Sequence, residues 1–117
     1  MEFTLEFYES ELGRVPVRKF LDALKASDPG DFAAVNAGLA KLRNSQYHRE
    51  PLSKALDDGL FELRHVGKLN TRVLWFFMKD RRIVVVHGIR NKGQAIPTRD
   101  LDTARERMRD WFERAEQ

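Results

Sequence analysis

Arg64, Arg72, His87 and Lys92 are the residues of this chain whose types suit chemistry on a charged substrate. A guanidinium can grip two oxygens of one anionic group, and an imidazole or ammonium can carry a proton. They stand in a basic stretch. Between Arg64 and Lys92 there are eight Lys or Arg residues (64, 68, 72, 79, 81, 82, 90 and 92) against one acid, Asp80. Such a local field favours a polyanionic or acidic partner, although the whole chain carries a formal charge of only +3. Lys79, Arg81 and Arg82 are explained by a solvated turn, whereas Arg64 and Arg72 fall inside apolar runs.

Those runs must position the four residues. Segments 60–66, 71–78 and 83–89 are rich in Val, Leu, Ile and aromatics and are separated by polar turns at 67–70 and 79–82, the pattern of consecutive antiparallel strands. The sequence IVVVHGI at 83–89 is apolar on both faces, which predicts an enclosed, central strand. Upstream, EFTLEFY at 2–8 alternates strictly and reads as a half-buried strand. Val17, Phe20, Leu21 and Leu24 then keep helical spacing behind Pro16. A second helix is expected from Asp28-Pro29, where the carboxylate can cap open N–H groups, with Phe32, Val35, Leu39 and Leu42 as its apolar stripe. Residues 44–59 read as a polar connector in which His48, Arg49 and Lys54 are ordinary loop residues, Lys54 being also a candidate substrate contact. A last helix begins near Thr98, with Leu101, Ala104, Met108, Trp111 and Phe112 on one side and Arg99, Arg105, Arg107 and Arg109 on the other. The prediction is an α+β domain, β-α-α-β-β-β-α, with a small, mostly antiparallel sheet, helices packed on one face and the other face partly open.

At 117 residues the chain has room for one core, so 1–117 is expected to be a single domain. It has no cysteine, which excludes disulfides and thiolate zinc sites and fits a reducing cytoplasm. No apolar run reaches the length of a membrane span, and the acidic, alternating MEFTLEFYES is unlike a signal peptide. His48, His65 and His87 lack metal-ligand spacing, and there is no Walker, Rossmann or nucleophile-elbow motif. No cofactor, metal or membrane partner is therefore expected.

The element order, together with L-F-E-L-R at 60–64, R-V-L-W-F at 72–76 and V-V-V-H-G-I-R-N-K-G-Q-A-I-P at 84–97, resembles the RelE/ParE superfamily of toxin–antitoxin toxins. The similarity is to its HigB-type, phage Gp49-like branch. The usual pattern there is an E-L-R strand, a Y-R-V strand, then H-G-F-x-K-K-T-x-x-T-P before a helix. Here Asn91 stands at the first lysine, Gly93 at the threonine, Asn70-Thr71 at a small residue and the tyrosine, and Ile89 at the phenylalanine.

The resemblance implies a metal-independent endoribonuclease that cuts mRNA in the ribosomal A site. It also implies a HigA-like helix-turn-helix antitoxin as partner. By motif position, Arg64, Arg72, His87 and Lys92 would be the catalytic set; Lys54, Arg90 and Asn91 are candidate RNA contacts beside them. Metal-free cleavage of RNA needs the 2′-hydroxyl deprotonated, the leaving oxygen protonated and charge on the phosphorus stabilised. The two arginines suit the last task, and His87 or Lys92 the first two. Each has a plain alternative: Arg64 and Arg72 as partners of Glu62, and His87 as a satisfied core histidine. Trp75 and Phe77 share a face and read as core rather than as a base-stacking platform. A ParE-like poison of DNA gyrase and an inactive phage-derived relic are the competing functions.

Overall fold

A computed structural model describes residues 2–66, 70–91 and 95–115; within these, the side chains of residues 65, 66, 70 and 91 are not described. Lys92 and Gly93, singled out above, and most of the first expected turn therefore lie outside the described residues.

Five strands form one mixed sheet in the order β1-β5-β4-β3-β2, where β1 is Thr4–Phe7, β2 Ser53–Ala55, β3 Leu60–Val66, β4 Asn70–Met78 and β5 Arg82–Asn91. Only β1 and β5 run parallel. The helices are α1 (Pro16–Ser27), α2 (Pro29–Lys41) and α3 (Thr98–Ala115). None is long and apolar enough to cross a membrane.

Asp28 makes the α1–α2 corner. Its N–H closes α1 on the Leu24 carbonyl, and its carboxylate accepts from the N–H of Asp31 to open α2, with Pro29 at the first helical position. One residue thus ends one helix and starts the next. Val17, Leu21, Leu24, Val35, Leu39 and Leu42 then pack on one face of the sheet against Leu63, Val73, Trp75, Ile83 and Val85.

The other face is not left open. Leu60, Leu74, Phe76, Val84 and Val86 form a second buried layer, covered by Leu101, Ala104, Met108 and Trp111 of α3. The expectation of helices on one face is corrected here, and the reason lies in the strands. A sheet whose central strands are apolar on both sides must be covered on both sides. Ala104, fully buried, lets the helix approach the strands closely.

The connector also holds more structure than its polarity predicts. Ser53–Ala55 pairs antiparallel with Leu63 to Phe61 and adds an edge strand. His48 is no ordinary loop residue: its Nε2 lies 2.6 Å from the Leu42 carbonyl, and its ring packs against Phe3, Trp75 and Phe77. Trp75 is fully buried and stacked on Phe61, as a core residue.

β5 is interrupted once. Leu74 pairs with His87 but Trp75 with Val85, so Val86 is an extra residue, a β-bulge. Its consequence is local and decisive. Strict alternation from Val84 and Val86 would turn His87 toward α1 and α2; the bulge turns it toward α3 instead. Gly88 then faces α1, where a Cβ would stand 2.3 Å from the Phe20 ring.

Candidate functional site

The register sets two rows of side chains on the α3 face. Lys54, Glu62, Leu74 and His87 are successive cross-strand partners in one row. Arg64, Arg72 and Ile89 make the next. The sheet therefore brings Arg64, Arg72 and His87, three of the residues expected from the motifs, to a common face with Lys54 of the connector.

Glu62 organises the arginines. It is 4% exposed, and its Oε1 lies 3.4 Å from the Nε of Arg64 while its Oε2 lies 3.7 Å from the Nε of Arg72. Arg72 is itself 4% exposed, whereas the side chain of Arg64 is 39% exposed. One carboxylate thus holds a buried guanidinium and a half-open one. Two like charges directly opposed across strands repel; the acid beside them makes the arrangement tolerable. The pairing with Glu62 foreseen as the plain alternative for Arg72 is present, and it coexists with a position on a pocket wall. That pocket, about 210 Å³, is lined by Lys54, Glu62, Arg72, Ile96, Leu101 and Arg105, among others. Arg105 of α3 closes its rim and pairs with Asp58 at 2.9 Å.

His87 is clamped by α3. Its Nε2 lies 2.7 Å from Asp100 Oδ1 and its Nδ1 lies 2.9 Å from Nη1 of Arg107, which also donates to the Val86 carbonyl at 2.8 Å. A guanidinium can only donate, so Nδ1 is the acceptor, and the ring proton sits on Nε2 and is donated to Asp100. Burial, above all, pushes the His87 pKa below its ordinary 6.5; Arg107 adds to that shift and Asp100 opposes it. The imidazole is therefore neutral at pH 7, with the basic lone pair covered by Arg107. It can take a proton only when α3 yields that contact.

Arg90 is placed elsewhere. It pairs with Thr71 on the α1–α2 face and donates to Ser27 Oγ and Asp28 Oδ2, each at 3.0 Å. Thr71 in turn donates to buried Asp31. Arg90 thus braces the helix corner and does not share a surface with Arg64, Arg72 and His87. Asn91 ends β5 opposite Asn70, and Lys92 lies outside the described residues. The sequence singles out no role for Asp100 and sets Arg107 on the charged side of α3, opposite the apolar stripe; the structure corrects this, with Arg107 half-buried against β5, where the bulge brings His87 to meet it. Among the described residues, no group of three or more His, Asp or Glu could hold a metal ion.

Residues 19–109, well over half of the chain, match the model of the family described as phage derived protein Gp49-like. That family belongs to the RelE/ParE-like toxin superfamily and is associated with the toxins of toxin–antitoxin systems. No curated protein matches the chain significantly.

Proposed function

The chain belongs to the phage-derived Gp49-like family, and from that premise we propose that it is the toxin of a type II toxin–antitoxin system, a ribosome-dependent, metal-independent mRNA endoribonuclease of HigB type on a RelE-like fold. The observation that carries the reading is the directly opposed pair Arg64 and Arg72, joined by buried Glu62, one row away from His87. In this account Arg64 meets a phosphate oxygen first, being half-open to solvent. Arg72 adds charge stabilisation from the pocket wall as negative charge grows on the phosphorus. His87, neutral at pH 7, accepts the 2′-hydroxyl proton once Arg107 releases Nδ1, Lys92, assigned by its motif position alone, donates a proton to the leaving 5′-oxygen, and Lys54 contacts a neighbouring phosphate. The need for a 2′-hydroxyl selects RNA over DNA. A helix-turn-helix antitoxin would silence the toxin by placing acidic groups over this basic face, and ribosome-bound message places the action in the cytoplasm.

The gyrase-poison reading has one observation of its own. Both ring nitrogens of His87 are engaged and Arg72 is buried, so the site as it stands offers little open proton-transfer capacity. Induction in a bacterial host separates the two. The nuclease gives growth arrest with new, codon-phased mRNA 5′ ends; the poison gives DNA breaks with intact message. Arg72→Lys keeps the charge against Glu62 but loses the bidentate fork, so it is expected to fold and to lose the cuts. Cuts undiminished in that variant would remove Arg72 from the chemistry.

A further inference from the structure

A second basin adjoins the Arg64 end of the site, where the end of α2 meets the loop at 46–52. It measures about 680 Å³, within the range of small-ligand sites, and is lined by Lys41, Gln46, Tyr47, Arg49, Leu52 and Arg64, among others. Three of these are cations, against one acid, Glu50. We propose that this cleft is a nucleotide subsite that seats an unpaired base and phosphate of the RNA adjacent to the nucleotide held at Arg64 and Arg72. The choice of RNA rests on the nuclease reading.

Lys41 and Arg49 have no ion pair among the described residues, although an acid lies nearby in the same wall. Tyr47, half-buried, supplies an aromatic ring, with the Lys41 ammonium 5.6 Å from its centroid. Gln46 supplies an exposed amide and Leu52 an apolar wall. An aromatic ring, an amide and spaced cations are the parts that hold single-stranded nucleic acid: stacking for the base, hydrogen bonds for its edge, positive charge for the backbone.

The walls are also fixed in advance. The Asn44 side chain accepts from the Gln46 N–H at 3.1 Å, and Ser53 Oγ donates to the Tyr47 carbonyl at 2.6 Å. His48 donates Nε2–H to the Leu42 carbonyl, and the Ser53 N–H donates to the Arg49 carbonyl at 3.0 Å. A loop held this way loses little freedom on binding, which favours affinity. Arg64 lines the cleft and also pairs with Glu62, so one strand residue joins the two basins into a continuous basic track around the β2–β3 edge. The contact between Lys41 and Tyr47 has a purely structural use, tying α2 to the loop. It does not account for exposed Arg49 in the same wall.

The test uses the full chain and a fluorescent, single-stranded RNA of about six nucleotides with 2′-O-methyl sugars, which 2′-hydroxyl chemistry cannot cut. Binding is followed by anisotropy over a series of salt concentrations. Tyr47→Ala is expected to weaken binding at least fivefold, with Tyr47→Phe within about twofold of wild type, because the ring rather than the hydroxyl does the stacking. Arg49→Ala, at an exposed site with no effect on folding expected, should reduce the slope of log affinity against log salt by about 0.7. Unchanged affinity and slope in Tyr47→Ala and Arg49→Ala would overturn the subsite, as would failure of the wild type to bind the probe at low salt. Because the probe cannot be cut, these outcomes are independent of whether ribosome-bound message is cleaved. A cutting enzyme with an indifferent cleft refutes the subsite alone, and a binding cleft without cutting refutes the nuclease alone.

Discussion

Replacing Glu62 by glutamine keeps the shape of the side chain and removes the charge that holds two arginines. Arg64, 39% exposed, can turn to water; Arg72, 4% exposed, cannot. At the observed 3.7 Å, and with an effective dielectric constant of about 20, the lost attraction between Glu62 and Arg72 is about 4.5 kcal/mol. Part of that returns, because a neutral amide is cheaper to strip of water than a carboxylate, leaving a net cost of about 3 kcal/mol, in line with broken buried pairs elsewhere. For a domain of this size that lowers the melting temperature by roughly 10–15 °C. Arg64→Ala, which removes only the half-open partner, should cost at most about 1 kcal/mol. Thermal and urea melts of the two variants, run side by side, decide the matter. Equal losses, or a Glu62→Gln variant as stable as wild type, would refute the view of Glu62 as the buried anchor of Arg72. A Glu62→Leu/Arg72→Met double variant should recover most of the loss, since it removes the buried guanidinium together with the carboxylate.

Acidification should weaken the fold through His87. Its folded-state pKa lies below 6.5, so the unfolded chain takes up the proton first and stability falls as pH drops from about 6.5 to the folded-state value. Urea melts between pH 5 and 7.5 should show this slope and show it flattened in His87→Gln. In NMR titrations, Arg107→Ala should raise the imidazole pKa and Asp100→Asn should lower it, following the sign of each neighbour's contribution. Gly88→Ala puts a methyl 2.3 Å from the Phe20 ring and should cost about 1–3 kcal/mol; Phe20→Leu in the same chain should return part of it, measured by the same melts.

Four of the five strands, the three helices and the α2 cap at Asp28 were legible because each rests on local patterning: strict alternation at 2–8, the i, i+3, i+4, i+7 stripe after Pro16, and Asp-Pro at a helix start. Alternation also contained the fate of Arg90, one residue past Ile89 and therefore on the opposite face. What local pattern does not carry is cover and register. Ser53–Ala55 is a strand only because β3 offers it an edge; three residues of such mixed polarity have no strand pattern of their own. The closing of the second face by α3 depends on which way the chain turns after β5, which periodicity does not encode. The site shows the same division. Residue types marked Arg64, Arg72 and His87, but a bulge at Val86 that no pattern announces decides that His87 meets Asp100 and Arg107.

The most direct measurement of the central claim is primer extension on a defined message in a reconstituted translation system, with the purified chain added in the presence and absence of ribosomes. The account predicts cuts at codons positioned in the A site, made without added metal beyond what the ribosome needs, dependent on ribosomes, and lost in Arg72→Lys. Message left intact on translating ribosomes, at a toxin concentration that arrests growth or traps gyrase on DNA, would contradict it.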